Sequence, residues 1–148
     1  MTLAVALGLH PLAVRACDQT LAPRFDADPQ SGTSISVGRI ADRVWRLRSI
    51  DGDPIPDTAD VWLMVMPDGR VHGRAGCNRY AGQAELDAGF IGFGRLARTY
   101  MACDVRTMEF EAAYLARLAE VSGFVVGSDG ALWLTRQDGS AGLCFGPA

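Results

Sequence analysis

From Arg43 to Ile50, apolar and polar residues alternate. Trp45, Leu47 and Ser49 fall on one side, Arg46 and Arg48 on the other. A period of two predicts a half-buried strand, here anchored by Trp45. Asp51-Gly52 ends it, and Pro54 and Pro56 make Asp53 to Asp60 a loop. Val61 to Met66 is apolar at every position, which predicts a strand covered on both faces. Pro67-Asp68-Gly69 turns the chain. Arg70 to Ala75 then alternates, with Val71, Gly73 and Ala75 opposite Arg70, His72 and Arg74, so the two runs are expected to pair as a hairpin. Gly76 to Asn78 reads as a bend. Tyr80 to Leu86 and Phe90 to Leu96 read as strands around a turn at Asp87-Ala88-Gly89.

The period then changes. Phe110, Tyr114, Leu118 and Val121 recur at spacings of four, four and three, which predicts one amphipathic helix over Thr107–Val121. Asp104 or Thr107 can cap its start, Glu109 and Glu111 suit the positive end of its dipole, and Gly123 supplies a stop. Phe124–Val126, Ala131–Arg136 and Gly142–Phe145 are short strands separated by Ser128-Asp129-Gly130 and Asp138-Gly139 turns. The expected class is α+β: a curved, mostly antiparallel sheet of seven or eight strands, partly open and barrel-like, with one packed helix near 107–121. Short turns leave no room for crossover helices, and a sheet of that many strands curls.

Ahead of the periodic region, Met1 to Ala16 is small and apolar, with Leu3 to Leu9 as its core and Cys17 directly after. Residues 1–17 therefore read as a signal segment, and Cys17 stands where a lipoprotein signal places its acylated cysteine. No Lys or Arg precedes the apolar run, however, and Arg15 occupies a position that such signals keep small and neutral. Residues 18–42 are rich in Asp, Pro, Gly, Ser and Thr and read as a flexible linker. The folded domain is expected at 43–146.

Composition adds boundaries. The chain has 148 residues, 49% hydrophobic and 21% charged, with net charge −3. One domain of this size buries a core without a metal. The acidic balance and the lack of a basic run argue against nucleic acid. No stretch reaches the roughly 18–20 apolar residues of a membrane span. Gly89, Gly92 and Gly94 lack the strand-to-helix setting of a phosphate loop and suit close backbone packing instead.

Two segments carry a family pattern: Gly73-x-x-Gly76-Cys77-Asn78-Arg79-Tyr80-x-Gly82, and Leu96-Ala97-x-Thr99-x-Met101-Ala102-Cys103. With Trp45-Arg46-Leu47 before them and Glu111, Leu118 and Leu132-x-Leu134 after, they resemble the META-domain (HslJ-like) family over about Val44 to Phe145. Tyr100 departs from the pattern, since many relatives carry Arg there. The resemblance implies a small curved-sheet α+β domain of the bacterial envelope, often a lipoprotein, linked to heat-shock and antibiotic-stress responses, with no established catalytic residues.

The cysteines at 77 and 103 sit in the two matching segments and are paired on that ground. Export is a condition, because a cytosol keeps thiols reduced. Closing that loop stabilises by roughly 3.5 kcal/mol in the chain-entropy model. Cys144, in an apolar strand, is expected as inert core. His10 and His72 offer the cysteines no evident base, and the paired short spacings of a zinc site are missing. Asn78, Arg79 and Tyr80 form either a recognition edge for a peptide or glycan or a structural bend, the latter favoured, with Asn78 taking a left-handed backbone. Arg70, His72 and Arg74 form a solvated face that can attract an anion. The expectation is a non-enzymatic domain, monomeric, without cofactor, metal or catalytic residues. It lies in the periplasm or at the outer membrane, touches the membrane only through a lipid anchor, and serves an unidentified envelope protein or ligand. The alternative is a thiol-dependent redox enzyme or hydrolase using Cys77 or Cys103.

Overall fold

The computed structural model describes Cys17, residues 37–87 and residues 89–148. Among them run β1 (Val44–Ile50), β2 (Asp53–Pro54), β3 (Val61–Val65), β4 (Arg70–Ala75), β5 (Arg79–Asp87), β6 (Phe90–Phe93), β7 (Ala97–Arg98), α1 (Val105–Ala119), β8 (Val121–Val126), β9 (Leu132–Arg136) and β10 (Ala141–Pro147). Eight of these strands close into an antiparallel barrel in the order β1-β3-β4-β5-β6-β8-β9-β10, and β10 returns to β1. The barrel is shut rather than partly open. Its closing seam pairs Trp45 with Pro147 and Leu47 with Phe145. The thinnest seam is β6–β8, where Phe90 pairs with Gly123 and the Phe124 N–H donates to the Gly89 carbonyl at 3.1 Å. β2 pairs antiparallel with the end of β1 at Ser49 and Ile50, and β7 pairs with β5 at Tyr80 and Ala81.

The alternation read from β1 and β4 is the alternation of burial. Trp45 and Leu47, and Val71, Gly73 and Ala75, face the interior. In β3, Val61, Leu63 and Val65 are buried, but Trp62 and Met64 are only half-buried on the outer face. Its uniformly apolar sequence therefore does not signify two covered faces. Cross-strand neighbours shelter its outer side chains: Trp62 lies between Arg46 and Arg74.

The helix touches β4, β6 and β10. These strands lie on different sides of the ring, so the helix lies across one mouth of the barrel. Tyr114 and Leu118 are fully buried there. The helix begins earlier than the apolar stripe suggests, because Asp104 caps it: the Asp104 carboxylate accepts from the Thr107 N–H at 3.0 Å and its hydroxyl at 2.6 Å. It also stops earlier, with Glu120 at its C-cap. Val121 and Gly123 belong to β8, and Gly123 is there for space, since a Cβ would lie 2.8 Å from Thr135 Oγ1.

The fold also reaches back into the expected linker. Ile40 is fully buried, its carbonyl accepts from Trp45 Nε1 at 2.9 Å, and Asp42 N–H donates to the Val65 carbonyl. Signal residues 1–16 and linker residues 18–36 lie outside the described residues.

Candidate functional site

The polar contacts between the two motif segments and the helix converge on Asn78. Its backbone N–H donates to Glu111 Oε2 at 2.7 Å, and Nδ2 donates to Glu111 Oε1 at 2.9 Å. Nδ2 also reaches the Met101 carbonyl at 3.2 Å. Oδ1 accepts from Thr99 Oγ1 at 2.9 Å and from the Met101 N–H at 2.7 Å. Asn78 is 2% exposed and Glu111 1%. A carboxylate so deeply enclosed needs partners for both oxygens, and Arg98 Nη1 adds a third at 3.6 Å. Asn78 thus binds α1, β5 and the 99–101 segment to one another. It is a structural keystone, and its backbone is not left-handed. Gly76, with φ +102°, makes the bend.

Cys77 and Cys103 are joined in a disulfide, with Cα atoms 6.0 Å apart. Cys77 is buried and Cys103 is exposed. Tyr80 faces the interior, and its hydroxyl meets the Trp62 carbonyl at 3.1 Å and the Tyr114 hydroxyl at 2.7 Å. The Tyr80 proton serves Trp62, so Tyr114 donates to Tyr80. Burial raises both phenols above their ordinary pKa. Gly73 makes this possible: a Cβ there would run into the Tyr80 hydroxyl and the Trp62 carbonyl. Of the three motif residues expected as an edge or bend, only Arg79 shows its side chain to solvent.

Cys144 is not an inert thiol. It faces outward, away from the Leu143 and Phe145 interior, and forms a disulfide with Cys17. Ala131, Trp133 and Cys144 make a small second core there, against which Cys17 and Ala141 pack. This corrects the lipid expectation at Cys17, because a thioether-linked lipid and a disulfide need the same sulfur. The hydrolase form of the thiol-enzyme alternative loses its nucleophile in the same way, since both Cys77 and Cys103 are spent on one bond. His72 stands edge-on to Trp62 at 5.9 Å, and His10 lies outside the described residues. Among the described residues no group of three His, Cys, Asp or Glu side chains is placed to hold a metal. No helix among them is long and apolar enough to cross a membrane.

Sequence reasoning missed the partner of Asn78. The signal was present: Glu111 lies three residues before Tyr114 and seven before Leu118, a carboxylate on the buried stripe.

These features define a class: a small closed antiparallel barrel with a helix across one mouth, in which two cysteine-bearing segments are locked by an Asn–Glu pair. The META domain model matches residues 38–146, and the chain belongs to that family. A solved structure of a protein from Burkholderia xenovorans is similar at 28% identity, covering 74% of this chain and 83% of that one, with a TM-score of 0.58. A DUF4847 family protein from Bacteroides vulgatus shares the fold at 13% identity, covering 72% of this chain and 93% of that one, with a TM-score of 0.53. No curated protein matches the chain significantly.

Proposed function

We propose that this META domain is a non-enzymatic binding domain of the bacterial envelope, working outside the cytosol. The observation that carries this reading is how the motif residues spend their chemistry on one another. Asn78, Glu111 and Thr99 satisfy one another's polar groups, and Tyr80 and Tyr114 do the same. All four cysteines are consumed in two disulfides, which persist in oxidising compartments. What the motifs offer outward is a rigid surface, suited to recognition. The stress-response setting follows from the family resemblance, and periplasmic residence agrees with the signal-like sequence of residues 1–16.

The test is the thiol state of the protein in its own host. Cell fractions are alkylated under denaturing, non-reducing conditions and weighed by mass spectrometry. Recovery outside the cytosol with no cysteine alkylated is expected. Cytosolic protein carrying four alkylated cysteines would overturn the reading.

A further inference from the structure

Cys77 and Cys103 share one bond but stand in different surroundings. Cys77 is 1% exposed, and its sulfur rests 3.5 Å from the Met101 carbonyl oxygen. Cys103 is exposed, and so is every residue from 97 to 106. Residues 99–104 belong to neither β7 nor α1. Thiol–disulfide exchange is a displacement at one sulfur with the other as leaving group, and access helps to decide which sulfur is attacked. Here the cysteine that solvent reaches is Cys103. The second disulfide is set differently. Cys144 is 1% exposed, Cys17 is half-buried, and both pack with the buried Ala131 and Trp133. The chain thus holds one shielded disulfide and one presented on an exposed stretch. Exposed disulfides are the labile class, and shielded structural ones resist reduction.

The surroundings also suit a bond that opens and closes. A thiol formed at Cys77 has an acceptor waiting in the Met101 carbonyl, so its burial leaves no stranded S–H. Hydrogen bonds run beside the disulfide from both of its chain neighbours. Asn78, next to Cys77, binds Glu111 and Met101, and Asp104, next to Cys103, binds Thr107. With the sulfurs parted, these bonds alone join the Gly76 bend to the start of α1. The open form is folded, less firmly tied, and able to close again.

We propose that Cys103 is a thiol–disulfide exchange site, at which a protein dithiol of the Cys-x-x-Cys type opens the Cys77–Cys103 bond while Cys17–Cys144 stays closed. One thiolate of the reductant attacks Cys103 Sγ. A disulfide forms between the two proteins, the Cys77–Cys103 bond breaks, and its electron pair leaves on Cys77 Sγ, which takes up a proton. The reductant's second thiol, deprotonated, then attacks the reductant sulfur of the mixed disulfide. Cys103 leaves as a thiolate and is protonated in turn. Two electrons and two protons have passed to this chain, and the reductant ends as a disulfide. This goes beyond the binding-domain reading and does not depend on it.

Purified, fully oxidised protein is treated with dithiothreitol at neutral pH, alkylated at intervals without reduction, and mapped by peptide mass. Cys77 and Cys103 are expected to be labelled about tenfold faster than Cys17 and Cys144, with the far-ultraviolet circular dichroism of the half-reduced protein unchanged. A Cys-x-x-Cys reductase whose second cysteine is replaced by serine stalls at the mixed disulfide, and peptide mapping is expected to place that bond on Cys103. Equal rates at the two disulfides, faster opening of Cys17–Cys144, or loss of the spectrum as Cys77–Cys103 opens would overturn the inference. So would a mixed disulfide on Cys77, or none at all. None of these results touches the envelope reading, which concerns the compartment and the resting thiol state, in which both bonds are closed.

Discussion

At the scale of single residues, the chain's most consequential group is one whose importance no local pattern advertises. Glu111 sits in a helix where acidic residues are ordinary, yet its two oxygens take both N–H groups that Asn78 directs at it. Glu111→Gln changes almost no volume. It replaces one acceptor with a donor, and that donor then faces either the Asn78 N–H or its Nδ2 group. A buried donor–donor contact leaves both unsatisfied. The expected loss is about 2–4 kcal/mol of unfolding free energy by urea titration. A loss below about 1 kcal/mol would mean that the site relaxes or admits water, and that the keystone role belongs to the disulfide beside it. Asn78, Tyr80, Cys77 and Cys103 were visible in the sequence because the family pattern marks them. Their geometry was not, because Asn78 and Glu111 are 33 residues apart and nothing in either neighbourhood encodes the meeting.

At the scale of elements, local chemistry was legible wherever it governs local structure. The β3–β4 hairpin follows from alternation and a Pro-Asp-Gly turn, and its register is the one the pattern implies. The helix was legible as an element but not at its ends. Its stripe runs on through Val121, which is buried as part of β8, and periodicity cannot say which element buries a residue. The start was decided between two candidate caps, and Asp104 holds it. Its bonds from the Thr107 hydroxyl and N–H depress the Asp104 pKa below the ordinary value of 3.8. The sign follows: the depressed group contributes stability above pH 3.8, and that contribution is lost as pH falls through the lower folded value. Asp104→Asn keeps a good capping side chain but removes the titration. The variant is expected to unfold in acid with a shallower pH dependence below about pH 4 than the wild type, at little cost near neutrality. Parallel acid-unfolding curves for the two proteins would show that the cap carries none of the acid sensitivity.

At the scale of the whole molecule, closure is what the sequence could not display. The β1–β10 seam joins residues about a hundred positions apart, and such a contact depends on the curvature accumulated over every strand between. The same holds for Cys17 and Cys144. They are 127 residues apart, whereas Cys77 and Cys103 are separated by 26. The difference yields an ordered expectation. In the chain-entropy model the longer loop stabilises by about 5 kcal/mol and the shorter by about 3.5 kcal/mol. Guanidinium titration of Cys17→Ala/Cys144→Ala should therefore show a larger loss than Cys77→Ala/Cys103→Ala. The two sites compete on different terms, however. The shorter bond sits beside a buried carboxylate whose partners it helps to hold, so breaking it puts native-state hydrogen bonds at risk as well as unfolded-state entropy. The longer bond ties Cys17 to an outer-face cluster of three buried residues. If the Cys77/Cys103 variant is the less stable of the two, native contacts around Asn78 outweigh loop length. The disulfide in the motif would then serve chiefly to keep Met101 against Asn78, which bonds both its N–H and its carbonyl.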